Sequence, residues 1–134
     1  MTTSYRCNTI HIESGREYPG EYLSTKNKKK IIPQEEIQIE FSYPIQNPAV
    51  FSFKNKNGFT LKEFWKAVNT GYLVIYSDED ETAPVKEVDI DRGMLYNRPK
   101  TEGKYGVWGH DLGDLILTGF EEVKPGVFHL DVES

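Results

Sequence analysis

The sequence predicts an α+β fold: an antiparallel sheet of four to five strands packed on one main amphipathic helix at about 61–77. Three observations carry that expectation. Residues 37–43 alternate apolar and polar side chains at the period of a half-buried strand. Residues 61–76 bring apolar side chains to one face of a helix, directly behind a capping motif. Strand patterns occur in runs before and after that helix, with no βαβ alternation to indicate a parallel sheet. A chain of 134 residues with 2 Trp, 8 Tyr and 7 Phe has the material for one core, so residues 1–134 are expected to form a single domain.

Residues 5–12 (Tyr-Arg-Cys-Asn-Thr-Ile-His-Ile) are rich in β-branched and aromatic side chains and end before the turn formers Ser14-Gly15, as a first strand would. From there to Pro33 the chain has turn chemistry at Gly15 and Tyr18-Pro19-Gly20 and no sustained period. An ordered loop with one short strand is expected. Ile37, Ile39, Phe41 and Tyr43 then alternate with Gln38, Glu40 and Ser42. Residues 44–48, with two prolines, break the pattern before Ala49, Phe51 and Phe53 resume it. The two segments are expected to pair as an antiparallel hairpin.

Thr60-Leu61-Lys62-Glu63 has the capping-box form, with Thr60 at the N-cap and Glu63 at N3, while Phe59 and Phe64 take the hydrophobic-staple positions. Leu61, Phe64, Trp65, Val68, Tyr72, Ile75 and Tyr76 follow at helical spacing. Gly71 could end the helix and leave 72–76 as a strand, but the apolar period continues across it and favours one helix. Residues 78–106 form a long polar stretch with Pro84, Gly93, Pro99, Gly103 and Gly106, expected to be a partly mobile loop. Residues 115–123 and 127–132 read as a second hairpin around Lys124-Pro125-Gly126. Phe128, Leu130 and Val132 point inward, and Glu122 is expected near His129 across the pair.

The net charge of −5 is unevenly spread. Residues 1–67 carry ten Lys/Arg against seven Asp/Glu, and residues 68–134 carry six against fourteen. The basic excess concentrates in residues 26–30 and the acidic excess begins at Asp78-Glu79-Asp80-Glu81. A nucleic-acid binder carries a basic stripe over the domain, which an isoelectric point near 5.2 does not offer, so nucleic acid is not an expected partner. No run of about 18 apolar residues suggests a membrane span. Cys7 has no second cysteine to pair with and the start at Met1–Arg6 lacks the apolar block of a signal peptide, so the expected setting is intracellular, in the cytoplasm.

The densest cluster of chemically capable residues is 105–115, Tyr-Gly-Val-Trp-Gly-His-Asp-Leu-Gly-Asp-Leu. Its glycines permit close backbone approach, Trp108 offers a flat face, and His110 with Asp111 or Asp114 offers polar contacts. Against this stands a plain packing role: Trp108 plugging the core, Asp111 capping a short helix, His110 satisfying a carbonyl. A metal centre at His110 and Asp111 needs a further ligand that no spacing selects. A Cys7–His nucleophile is formally possible, although a lone cysteine more often packs. Residues 78–81 and 89–93 resemble fragments of calcium loops, but from Asp78 the glycine position holds Ala83 and the twelfth holds Asp89 in place of Glu, and 89–93 lacks a third acid at the next alternate position. An exposed acidic loop is therefore expected. Phosphate loops ending in Lys-Ser or Lys-Thr, Gly-x-Ser-x-Gly elbows and HExxH are missing from the chain.

The expected function is a non-catalytic protein-interaction or adaptor domain with no cofactor, binding a protein partner through Tyr105, Trp108, His110, Asp111 and Asp114. The alternative is a small metal-assisted hydrolase centred on His110 and Asp111. A third possibility, a ligand cavity lined by Phe64, Trp65 and Tyr72, competes with those residues simply filling the core.

Overall fold

The computed structural model describes residues 3–17, 21–22, 29–82, 101–107 and 110–134. Among these residues, nine strands and one α-helix follow in the order β1 (Thr3–His11), β2 (Arg16–Glu17), β3 (Glu21–Tyr22), β4 (Lys30–Ile32), β5 (Glu36–Phe41), β6 (Ala49–Lys54), β7 (Phe59–Thr60), α1 (Leu61–Thr82), β8 (Ile116–Lys124) and β9 (Val127–Glu133). A short 3-10 helix at Leu112–Asp114 precedes β8. The main sheet has the order β3-β2-β1-β8-β9-β5-β6, and β4 pairs with β7 in a separate ribbon. The class is α+β. Five strands of the sheet have six residues or more, and the two-residue β2 and β3 extend its edge beyond β1.

The alternating pattern at 37–41 becomes alternating burial: Ile37, Ile39 and Phe41 turn to the core and Gln38 and Glu40 turn away. β5 and β6 pair antiparallel with Ile39 opposite Phe51, as expected of the hairpin. β8 and β9 form the second hairpin, and β1 pairs antiparallel with β8. β5 lies parallel to β9, with Glu40 opposite His129. That pairing joins the two hairpins into one sheet.

Helix α1 covers one face of this sheet. Its buried stripe of Phe64, Ala67, Val68, Gly71, Tyr72, Ile75, Tyr76 and Glu79 follows the 3.6-residue period, so the helix continues through Gly71. Phe64 stacks on Phe120 with ring centroids 3.9 Å apart, and Tyr72 meets Phe41 edge-on at 5.0 Å. Phe64 and Tyr72 are fully buried, and the Tyr72 hydroxyl donates to the Tyr43 carbonyl at 2.6 Å, so both rings are core rather than cavity wall. Trp65 docks the chain after β1, its indole N–H donating to the Ile12 carbonyl at 2.9 Å, and Asn69 donates to the same oxygen at 2.9 Å.

Besides the three short strands β2, β3 and β4 where a loop with one was expected, two sequence expectations need correction. The acidic run at 78–81 is the last turn of α1, which ends at Thr82, and Glu79 within it is fully buried. Carboxylates are ordinarily unfavourable at a helix C-terminus. Here Thr82 Oγ1 donates to the Asp78 carbonyl at 2.7 Å, and the Glu79 carboxylate is taken up by another segment, so the turn holds. Secondly, Glu122 does not face His129. An irregularity between Glu122 and Lys124 shifts the register so that Glu121 stands opposite His129 and Glu122 opposite Phe128. The Glu122 carboxylate instead accepts from Gln34 Nε2 and from the Gly126 N–H in the turn, each at 2.8 Å, while His129 Nε2 pairs with Glu40 at 2.5 Å.

Candidate functional site

The described residues of the region expected to carry function lie at the C-terminal end of α1. Glu79 gathers it. Residues 101–107 fold back over the helix end, and their donors converge on the one carboxylate: Oε2 accepts from Thr101 Oγ1 at 2.5 Å and the Gly103 N–H at 2.8 Å. Oε1 accepts from the N–H groups of Tyr105 at 2.7 Å and Gly106 at 3.0 Å, and the Val107 N–H adds a longer contact of 3.4 Å to Oε2. Two successive N–H groups can aim at one oxygen because Gly106 has a φ of 66°, a left-handed conformation open to glycine. Burial alone would raise the Glu79 pKa. The donation from Thr101, followed by that from the Tyr105, Gly103 and Gly106 amides, outweighs it and holds the carboxyl down at about 2.

The same segment is fastened on its other side. The Tyr105 carbonyl accepts from the N–H groups of Gln46 and Asn47, both at 3.0 Å, and Val107 bridges to Ile45. Thr101 N–H donates to the Val107 carbonyl at 2.7 Å, closing 101–107 into a loop around the carboxylate. Tyr105 is buried, with Lys104 Nζ 5.3 Å from its ring centroid.

His110 is fixed by a second set of contacts. The Tyr76 hydroxyl donates to its carbonyl at 2.8 Å, Nε2 lies 3.0 Å from Ser134 Oγ, and its ring lies 5.8 Å from that of Tyr43. The Tyr43 hydroxyl reaches the same Ser134 Oγ at 2.7 Å, linking the three side chains. Asp111 leads into the 3-10 helix: its N–H donates to Asp114 Oδ2 at 3.2 Å and its carbonyl accepts from the Asp114 N–H at 3.0 Å. Leu112 and Leu115 insert into the core beneath, and both aspartates face solvent.

Of the five residues expected to form a site, the structure fastens Tyr105 and His110 to the end of α1 and pairs Asp111 with Asp114 through a turn. Trp108, with Gly109, lies outside the described residues, as do the anchors Val85, Val88, Ile90 and 94–96 of the long loop. Tyr105 serves the core with its ring and Glu79 with its amide, so its side chain is not open to a ligand. The residues that sequence reasoning missed are Glu79, Tyr76 and Ser134. Only Glu79 carried a signal, as a single acid of the 78–81 run at the phase of the buried helix stripe. Among the described residues no group of three or more His, Cys, Asp or Glu side chains converges on a position that could hold a metal ion. Among them, too, no helix is long and apolar enough to cross a membrane.

No family model, no curated protein and no solved structure matches this chain.

Proposed function

We propose that the chain is a non-catalytic protein-interaction module that presents the segment 105–115, with Trp108 at its centre, to a protein partner in the cytoplasm. The observation that carries the proposal is the double fastening of that segment. Val107 is held by Ile45 and Glu79 on one side of Trp108-Gly109, and His110 is held by Tyr76 and Ser134 on the other. A contact segment whose flanks are ordered beforehand loses less conformational freedom on association. Trp is also among the residues that concentrate binding energy. Among the described residues, buried polar groups such as Glu79 are fully satisfied, which suits a scaffold rather than a reaction centre.

A metal-assisted hydrolase centred on His110 and Asp111 has less support. The Asp111 backbone is taken up in starting the 3-10 helix, His110 Nε2 lies within reach of Ser134 Oγ, and no third ligand among the described residues joins them. The deciding experiment is a pull-down from native extract with wild type and Trp108→Ala, after circular dichroism has shown that the variant is folded. A partner captured by wild type alone supports the module. Identical captures remove Trp108 from binding, and near-stoichiometric metal lost in His110→Ala supports the hydrolase instead.

A further inference from the structure

We propose that the opposite end of α1 carries a second site, a groove for a small aromatic anion. An open groove of about 340 Å³ lies between β6 and the helix, lined by Phe53, Asn55, Phe59, Ala67 and Thr70 together with Lys54, Glu63 and Lys66. That volume falls at the lower end of small-ligand sites. Half-buried Phe53 supplies the apolar surface, with Phe59 and Ala67 buried beneath it, and Asn55 and Thr70 supply polar groups. The partly open Phe53 ring suits a flat ring, for which aromatic side chains are favourable neighbours.

The charge of the groove selects the ligand's sign. Lys54 and Lys66 are exposed at its lining, and their side chains make no ion pair or hydrogen bond among the described residues. Glu63 is the one acid in the lining, and its carboxylate is already matched by Lys30 Nζ at 2.7 Å and Asn55 Nδ2 at 2.6 Å. The fold therefore brings lysines from β4, β6 and α1, distant in sequence, to one place where the acid of the lining is already compensated, while exposed Glu36 stands opposite Lys54 in the β5–β6 register without an ion pair among the described residues. A ring carrying a phosphate or carboxylate would seat its ring on Phe53 and its charge between Lys54 and Lys66. This site is independent of segment 105–115.

The test is titration of isotopically labelled protein with phenyl phosphate, followed by amide shifts, with benzyl alcohol and inorganic phosphate as separate arms. Saturable shifts confined to the amides of Phe53, Asn55, Ala67 and Thr70 are expected. Lys54→Ala/Lys66→Ala, both at exposed positions, should weaken phenyl phosphate about tenfold while its spectrum stays that of a folded protein. The proposal is overturned by any of three results: no saturation by about 10 mM, equal affinity in the double variant, or binding of benzyl alcohol or phosphate alone as tight as that of phenyl phosphate.

Discussion

Phe41 occupies the space that a side chain on Gly71 would need: a Cβ there would stand 2.7 Å from Phe41 Cε2 and 2.8 Å from Cε1. Phe41 is itself held by Tyr72, Phe51 and Phe53, so the ring has little freedom to retreat. The helix tolerates a glycine at its centre because the strand beneath approaches so closely there. On an isolated helix Gly71→Ala would stabilise by about 1 kcal/mol. In this protein it should destabilise by about 1–3 kcal/mol, since overpacking outweighs the propensity gain. Urea unfolding should show a lower midpoint with an unchanged slope; a raised midpoint would mean that Phe41 yields.

Glu79 predicts acid lability. Its folded pKa of about 2 lies below the ordinary value of 4.5, so its contribution is complete above about pH 4.5 and is lost as pH falls toward 2. Glu79→Gln keeps the shape but replaces one acceptor with an NH2 facing the amides that now donate to it, at a cost of about 3 kcal/mol near neutral pH. The stability difference between wild type and variant should therefore shrink as pH falls from 5 to about 2. Glu63, pulled to about 2 first by the Lys30 hydrogen bond and then by the Thr60 amide, titrates in the same window. At 36% side-chain exposure its share is screened, and the subtraction of the two proteins cancels it. A constant difference across that range would show that Glu79 is not the group responsible.

The contrast between these two glutamates shows what the sequence makes legible. Glu63 was readable because its partner is local: the Thr60 N–H donates to Glu63 Oε1 at 2.8 Å and the Glu63 N–H to Thr60 Oγ1 at 3.1 Å, a motif written within four residues. Glu79 stands in a run of four acids that resembles a solvated face, and its partners come from 101–107, beyond a polar stretch without periodicity. The two hairpins were likewise legible from alternation and turns, whereas the parallel pairing of β5 with β9 depends on contacts that no local pattern encodes. The Glu122–His129 expectation failed for a related reason. A register irregularity at the end of β8 leaves no mark that distinguishes one glutamate from its neighbour.

At the start of α1, the cap and the ion pair should separate in magnitude. Thr60 is buried and its hydroxyl satisfies the Glu63 amide, so Thr60→Ala should cost about 1 kcal/mol. Lys30 meets the same Glu63 near the surface, and Lys30→Ala should cost no more than about 0.5 kcal/mol, with the difference fading at high salt. Thermal unfolding of both variants at low and high ionic strength distinguishes them: a salt-insensitive loss for Thr60→Ala and a small, salt-sensitive one for Lys30→Ala.

At the other end of the helix, Tyr76 and Glu79 fasten two different parts of the candidate segment, and the two should loosen separately. The Tyr76 hydroxyl reaches the His110 carbonyl, so Tyr76→Phe removes that link for about 1 kcal/mol while leaving the ring in the core. Amide exchange should then quicken at Asp114 and Leu115, whose N–H groups bond back to Asp111 and Leu112 just after His110. Protection at Gln46 and Asn47, which bond to the Tyr105 carbonyl on the Glu79 side, should be retained. Glu79→Gln should give the reverse pattern. Tyr72→Phe, which loses a bond to the Tyr43 carbonyl instead, serves as the control for a general loss of stability. Uniform acceleration in all three variants would mean that the segment and the core open together. Separate loosening would show two independent fastenings, the arrangement that a binding segment held at both flanks requires.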